Sequence, residues 1–139
     1  MSRKKFLYTF FHSRMIAVFS TIGPNTIPEA AVMEFGDTPN LELIFGTLRT
    51  TRKYQNLKRN PHIACVIGWE AGETVQYEGI AEELEGELRE RYTRMMFAKN
   101  TAFKHWEHMS SMTYFRVLPC WIRYSCMHTK PWIIRSENL

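Results

Sequence analysis

Leu43-Ile-Phe-Gly-Thr47-Leu-Arg-Thr50-Thr51-Arg52-Lys53 is a β-prone apolar run that ends in hydroxyl residues and passes into helical spacing. Tyr54, Leu57 and Lys58 recur at helical intervals until Asn60-Pro61 stops the pattern, and Thr50 or Thr51 can cap the start. A strand followed by a short helix over 50–60 is predicted. The helix carries two cations in its first turn, where the positive end of the macrodipole disfavours them. The unpaired N–H groups of that turn, the hydroxyls of Thr47 and Thr51, and the charges of Arg52 and Lys53 together suit a phosphate. The competing reading is that both cations point into water.

Outward from this segment the chain reads as short strands. Met15 to Ser20 is β-branched and aromatic and stops at the turn signal Gly23-Pro24-Asn25. Glu29 to Phe35 and Leu41 to Thr47 flank the turn-forming run Gly36-Asp37-Thr38-Pro39-Asn40, which predicts a hairpin. Ile63 to Trp69 and Thr74 to Leu84 predict a second, with Gly79 marking a bulge or a close backbone approach. Thr113 to Pro119 and Trp121 to Ser125 return to strand. Helices are predicted over Lys4 to Phe11 and from Gly86 to about Met109, the latter broken near Asn100-Thr101. The expectation is one mainly β domain over 1–139: a six-stranded antiparallel sheet with flanking helices, able to lose its edges by rolling into a barrel. Periodicity alone leaves a sandwich open.

At 139 residues, with 45% hydrophobic and 23% charged, the chain has a globular rather than a disordered composition. Three cysteines without framework spacing predict free thiols in a reducing compartment, and a cytoplasmic location is expected. The basic start and Phe6 to Phe11 resemble a secretory signal only superficially, because His12 and Arg14 interrupt the apolar stretch. No apolar run approaches the roughly 18 residues of a membrane-spanning helix. Net charge is +4, but its distribution is divided. Arg49, Arg52, Lys53, Lys58 and Arg59 cluster where no acid lies between Leu43 and Trp69, whereas eight glutamates fall between Glu70 and Glu90. A local anion site, or two solvated faces, fits this better than a nucleic-acid stripe, which would interleave aromatic residues with the cations. No nucleic-acid or membrane partner is expected.

Several segments occur in an order that carries a family resemblance: Phe19-Ser-Thr21-Ile-Gly-Pro-Asn25, Ile27-Pro28-Glu-Ala30, Leu43-Ile-Phe-Gly-Thr47, Thr51-Arg52-Lys53, Arg59-Asn60-Pro61 and Val75-Gln76-Tyr-Glu-Gly79. Together they resemble the pyridoxamine 5'-phosphate oxidase-like family of FMN-binding split β-barrels over roughly residues 15 to 125. The resemblance implies a homodimer with FMN between the protomers. It implies that Thr51, Arg52 and Lys53 hold the FMN phosphate and that Thr47 adds a hydroxyl. Val32, Met33 and Glu34 match the strand whose backbone meets the polar edge of the ring. Gln76 matches an amide contact, with one donor and one acceptor for that edge.

The chain also departs from the pattern. Pyridoxamine phosphate oxidases carry a C-terminal Arg-x-His-x-Arg stretch, whereas this sequence reads His128-Thr-Lys130-Pro-Trp132-Ile-Ile-Arg135. The basic residue expected beside the flavin is missing from Glu29 to Phe35. Vitamin B6 oxidation is therefore disfavoured. The expected function is an FMN-dependent oxidoreductase with no assignable catalytic residue, the alternative being a protein that holds a flavin, a deazaflavin coenzyme or haem with little turnover. His105 and His108 lie three apart with no completing ligand, and no metal is expected. Trp106, Trp121 and Trp132 are expected in core or interface packing, with Trp121 and Trp132 also candidates for the flavin cleft.

Overall fold

The computed structural model describes residues 1–135. Helix α1 (Arg3–His12) precedes β1 (Ile16–Ile22), β2 (Pro28–Glu34), the two-residue β3 (Gly36–Asp37) and β4 (Leu43–Leu48). Helix α2 (Arg52–Arg59), β5 (His62–Ile67), β6 (Glu73–Glu83), α3 (Gly86–Lys99), a 3-10 turn at Thr101–Trp106, β7 (Met112–Cys126) and β8 (Thr129–Arg135) follow. Among the described residues there are eight strands rather than six, in the order β2-β1-β5-β6-β7-β4-β3, with β8 added beside β7. All the pairings are antiparallel.

The connection from β2 to β3 closes this sheet. They lie at opposite ends of the strand order, yet only Phe35 separates them in the chain, so the sheet has to curl until its ends meet. The result is a barrel with a seam between β2 and β4. The expected hairpin of Glu29–Phe35 with Leu41–Thr47 does not form. Its turn is where the sequence places it, but only Gly36 and Asp37 pair with β4, while residues 28–34 pair with β1. The reason lies in the burial pattern, since Phe35 is fully buried and pulls the chain inward between the two ladders.

Two other expectations change. The two runs Thr113 to Pro119 and Trp121 to Ser125 fall in one 15-residue strand, Met112–Cys126, not two. Pro119 interrupts nothing because Cys120 is bulged out beside it, between the pairs Glu78–Trp121 and Gly79–Pro119. Gly79 does lie at a close approach, where a Cβ would come within 2.6 Å of the Leu118 carbonyl. Alternate residues of each strand face inward, including Phe19, Phe45, Ile67, Tyr77 and Phe115, and α1 adds Leu7, Phe10 and Phe11. Phe45 stacks on Phe115 with centroids 5.2 Å apart. A second cluster lies outside the barrel, where α3 covers Ile44 and Tyr114 with Tyr92 and Met96. An ion pair of Asp37 and Lys99 at 2.8 Å fastens β3 to the end of α3. No described helix is long and apolar enough to cross a membrane.

Candidate functional site

The register of β2 puts Glu29, Ala31 and Met33 on the barrel's inner side and Pro28, Ala30 and Val32 on its outer side. Across the seam, β4 ends at Leu48 and the chain turns into α2. Between them lies a cavity of about 380 Å³, within the usual range of about 300–1,000 Å³ for small-molecule sites. Phe19, Phe45, Ile63 and Met33 form its apolar wall, and Thr51, Arg52 and Lys53 form the polar end.

The polar end is built as the sequence suggests. Thr51 caps α2, accepting the Tyr54 N–H at 3.3 Å. Its hydroxyl donates to the Leu48 carbonyl at 2.9 Å, so the Thr47 hydroxyl, 2.9 Å away, is the donor in their mutual bond. No acid occupies the first turn of α2. Lys53 is half-buried, and burial pushes its ammonium below the usual lysine range. Among the described residues it pairs with no carboxylate.

Arg52 differs. Its guanidinium is bonded to the carboxylate of Glu29, which reaches across from β2. The Asn56 amide donates to the other oxygen of Glu29 at 2.7 Å and to the Thr21 hydroxyl at 3.0 Å, while its carbonyl accepts from Arg59 at 2.7 Å. Arg52 and Asn56 hold the Glu29 carboxyl below the usual carboxylate range. An acid in a strand of alternating exposure reads as solvated. Its position opposite Arg52, 23 residues on, depends on the barrel's closure and leaves no local signal.

Arg49 and Lys58 of the basic cluster are matched by Glu83 of the acidic run. Glu83 accepts from Tyr54 at 3.2 Å, Lys58 at 3.3 Å and Thr113 at 2.7 Å, with Arg49 3.8 Å away. Burial raises the Glu83 carboxyl, but these bonds outweigh it and hold the group below its ordinary value.

Of the residues the sequence points to, Met33, Thr51, Arg52 and Lys53 line this one cavity, with Thr47 bonded behind it. Val32 and Glu34 flank Met33 in an adjoining cleft of about 230 Å³, which Trp106 and Tyr114 also line. Gln76 is elsewhere. It lies on the outer face of β6, in a third cleft with Val18, Val66 and Trp121. Three strand spacings, about 14 Å, separate it from β2, and the thickness of the sheet separates it from the cavity. Trp132 is also away from the cavity, stacked on Tyr124 at 4.9 Å beside Phe6 of α1.

The pyridoxamine 5'-phosphate oxidase family model matches residues 4–126. The chain belongs to this family. Solved structures repeat the fold at low identity. A haem-binding protein from Mycobacterium smegmatis superposes with a TM-score of 0.86 at 16% identity, over 99% of this chain and 60% of that one. General stress protein 26 from Bacillus anthracis gives 0.76 at 22% identity, over 97% and 99%. A related protein from Clostridium acetobutylicum, described as of the pyridoxinephosphate oxidase family, gives 0.76 at 19%, over 99% of each. The family member therefore spans about 60% of the length of the mycobacterial haem-binding protein. No curated protein matches the chain.

Proposed function

We propose that this family member is an FMN-binding flavoprotein that works as an oxidoreductase on a substrate other than a B6 phosphate ester. The observation that carries the reading is the convergence of Thr51, Arg52 and Lys53 at the polar end of one apolar-walled cavity. Lys53 would supply the charge for the phosphate, and the first-turn N–H groups of α2 would donate to it. The Thr47–Thr51 hydroxyl pair holds the cap that presents them. Met33, Phe19 and Phe45 would exclude water from the apolar part of the ligand. Bound FMN would supply hydride acceptance at its ring, and the protein would orient it. These residues fit the group except for Glu29, an acid where the ligand is anionic. The absent C-terminal Arg-x-His-x-Arg stretch and the missing base in β2 are the reasons for setting B6 phosphate esters aside.

Gln76 takes part in this reading only from a second copy. Val32, Val18, Val66 and Gln76 are register neighbours in one row across the outer sheet face. Val32 is 60% exposed and Val66 37%, an apolar row that supports pairing with the same face of another protomer. A homodimer with FMN at the interface would bring the partner copy's amide to the ring.

The visible absorbance spectrum of the purified protein, with mass identification of the released ligand, tests the reading. Flavin bands and released FMN are expected. A colourless protein that takes up no added FMN would remove the reading's support, and a Soret band would replace it with haem binding.

A further inference from the structure

Glu29 is the one acid among the cavity's described lining residues, and it occupies Arg52, a cation that an anionic ligand would use. The two partners are held unequally. The Glu29 side chain is 19% exposed and is fixed by Asn56, which is buried and has its own bonds to Thr21 and Arg59. The Arg52 side chain is 81% exposed, and no other hydrogen bond holds its guanidinium among the described residues. The turn between β1 and β2 leaves space for this arrangement, because a Cβ on Gly23 would come within 2.8 Å of a Glu29 carboxylate oxygen. The carboxylate is therefore the anchored member of the pair, and the guanidinium is the one free to leave.

We propose that Glu29 is an internal anion that holds Arg52 in place of the ligand's phosphate and gives it up on binding, so that this residue sets how strongly the site prefers phosphorylated over unphosphorylated ligands. The inference rests on the FMN reading of the cavity and adds a specificity determinant to it. A phosphate entering beside Lys53 competes with Glu29 for the Arg52 donors and also meets the like charge of the carboxylate. Riboflavin has the same ring and ribityl chain without the phosphate, so it competes for neither. Wild-type affinity for FMN is thereby reduced by the exchange, whereas riboflavin affinity is independent of it.

Calorimetric titration of FMN and riboflavin into the wild-type protein, Glu29→Gln and Glu29→Ala tests this. Glutamine keeps the carbonyl that accepts from Asn56 while removing the charge. Glu29→Gln is expected to bind FMN roughly two- to fivefold more tightly, as removal of a competing surface ion pair allows, with riboflavin unchanged. Arg52→Ala is expected to weaken FMN more in the Glu29→Gln background than in wild type, because there the guanidinium is free to serve the ligand. Should Glu29→Gln unfold at a lower temperature than wild type, Glu29→Ala is judged by the same criterion. Unchanged or weaker FMN binding overturns the proposal, and so does an equal gain for riboflavin, which would report a general loosening of the cavity. FMN bound tightly and equally by wild type and variants sinks this inference alone. FMN bound by none of them sinks the FMN reading as well.

Discussion

Two carboxylate–cation pairs link distant parts of this chain, and they differ in what surrounds them. Asp37 and Lys99 lie 2.8 Å apart with side chains 0% and 1% exposed. His12 lies 2.8 Å from the second Asp37 oxygen, and Lys99 also donates to the Phe11 carbonyl at 3.2 Å and sits over the Phe35 ring. Glu29 and Arg52 face each other at a cavity mouth with one side chain largely in water. The first pair cannot open without leaving a charge among aromatic rings, whereas the second opens into solvent. Burial, rather than the chemistry of the partners, separates a fastening from an exchangeable contact.

Breaking the buried pair should have the largest effect. Lys99→Ala is expected to lower unfolding stability by about 3 kcal/mol, because it leaves the buried Asp37 carboxylate with His12 alone, and denaturant titration measures this. Next, Arg52→Ala with Lys53→Ala should leave the fold intact and weaken FMN binding at least about tenfold, since each charged hydrogen bond to phosphate contributes roughly 1.5–3 kcal/mol. Unchanged affinity would place the phosphate elsewhere.

A smaller effect is expected from pH. Burial depresses the Lys53 pKa, so its ammonium, the form that binds phosphate, is complete only well below that value. FMN affinity should fall as pH rises through the depressed value, earlier than an ordinary lysine would dictate. Lys53→Arg should remove the fall attributable to this side chain, because a guanidinium stays charged throughout. Titrations at several pH values compare the two proteins. The smallest effect is expected from Arg52→Ala on stability without ligand, under about 1 kcal/mol. A loss as large as that of Lys99→Ala would show that the Glu29 contact is a fastening after all.

Most of the cavity's polar end was legible in the sequence, because Thr47, Thr51, Arg52 and Lys53 lie within one local switch from strand to helix. Hydroxyl caps and first-turn cations act over a few residues, so their spacing records them. The helices over Arg3–His12 and Gly86–Lys99 and the close approach at Gly79 were legible because their signals are also local. What failed depended on closure. Residues 28–34 and 43–48 look like partners across a turn, and only the two-residue β3 with a buried Phe35 reveals that they belong to opposite ends of the sheet. Pro119 looked like a terminator because the neighbouring bulge at Cys120, which makes its missing N–H harmless, is a property of the paired strand. Glu29 leaves no local signal because its partners come from α2, and the sheet stands between Gln76 and the cavity of its own protomer.

The lone-residue link at Phe35 bears on how anything enters the barrel. Every other junction between neighbouring strands is stitched by a ladder, but among the described residues β2 and β4 are joined through the covalent chain and share no ladder of their own. A flat guest sliding in along that unlaced edge would leave the backbone pairing intact, and its admission would be governed by side chains alone.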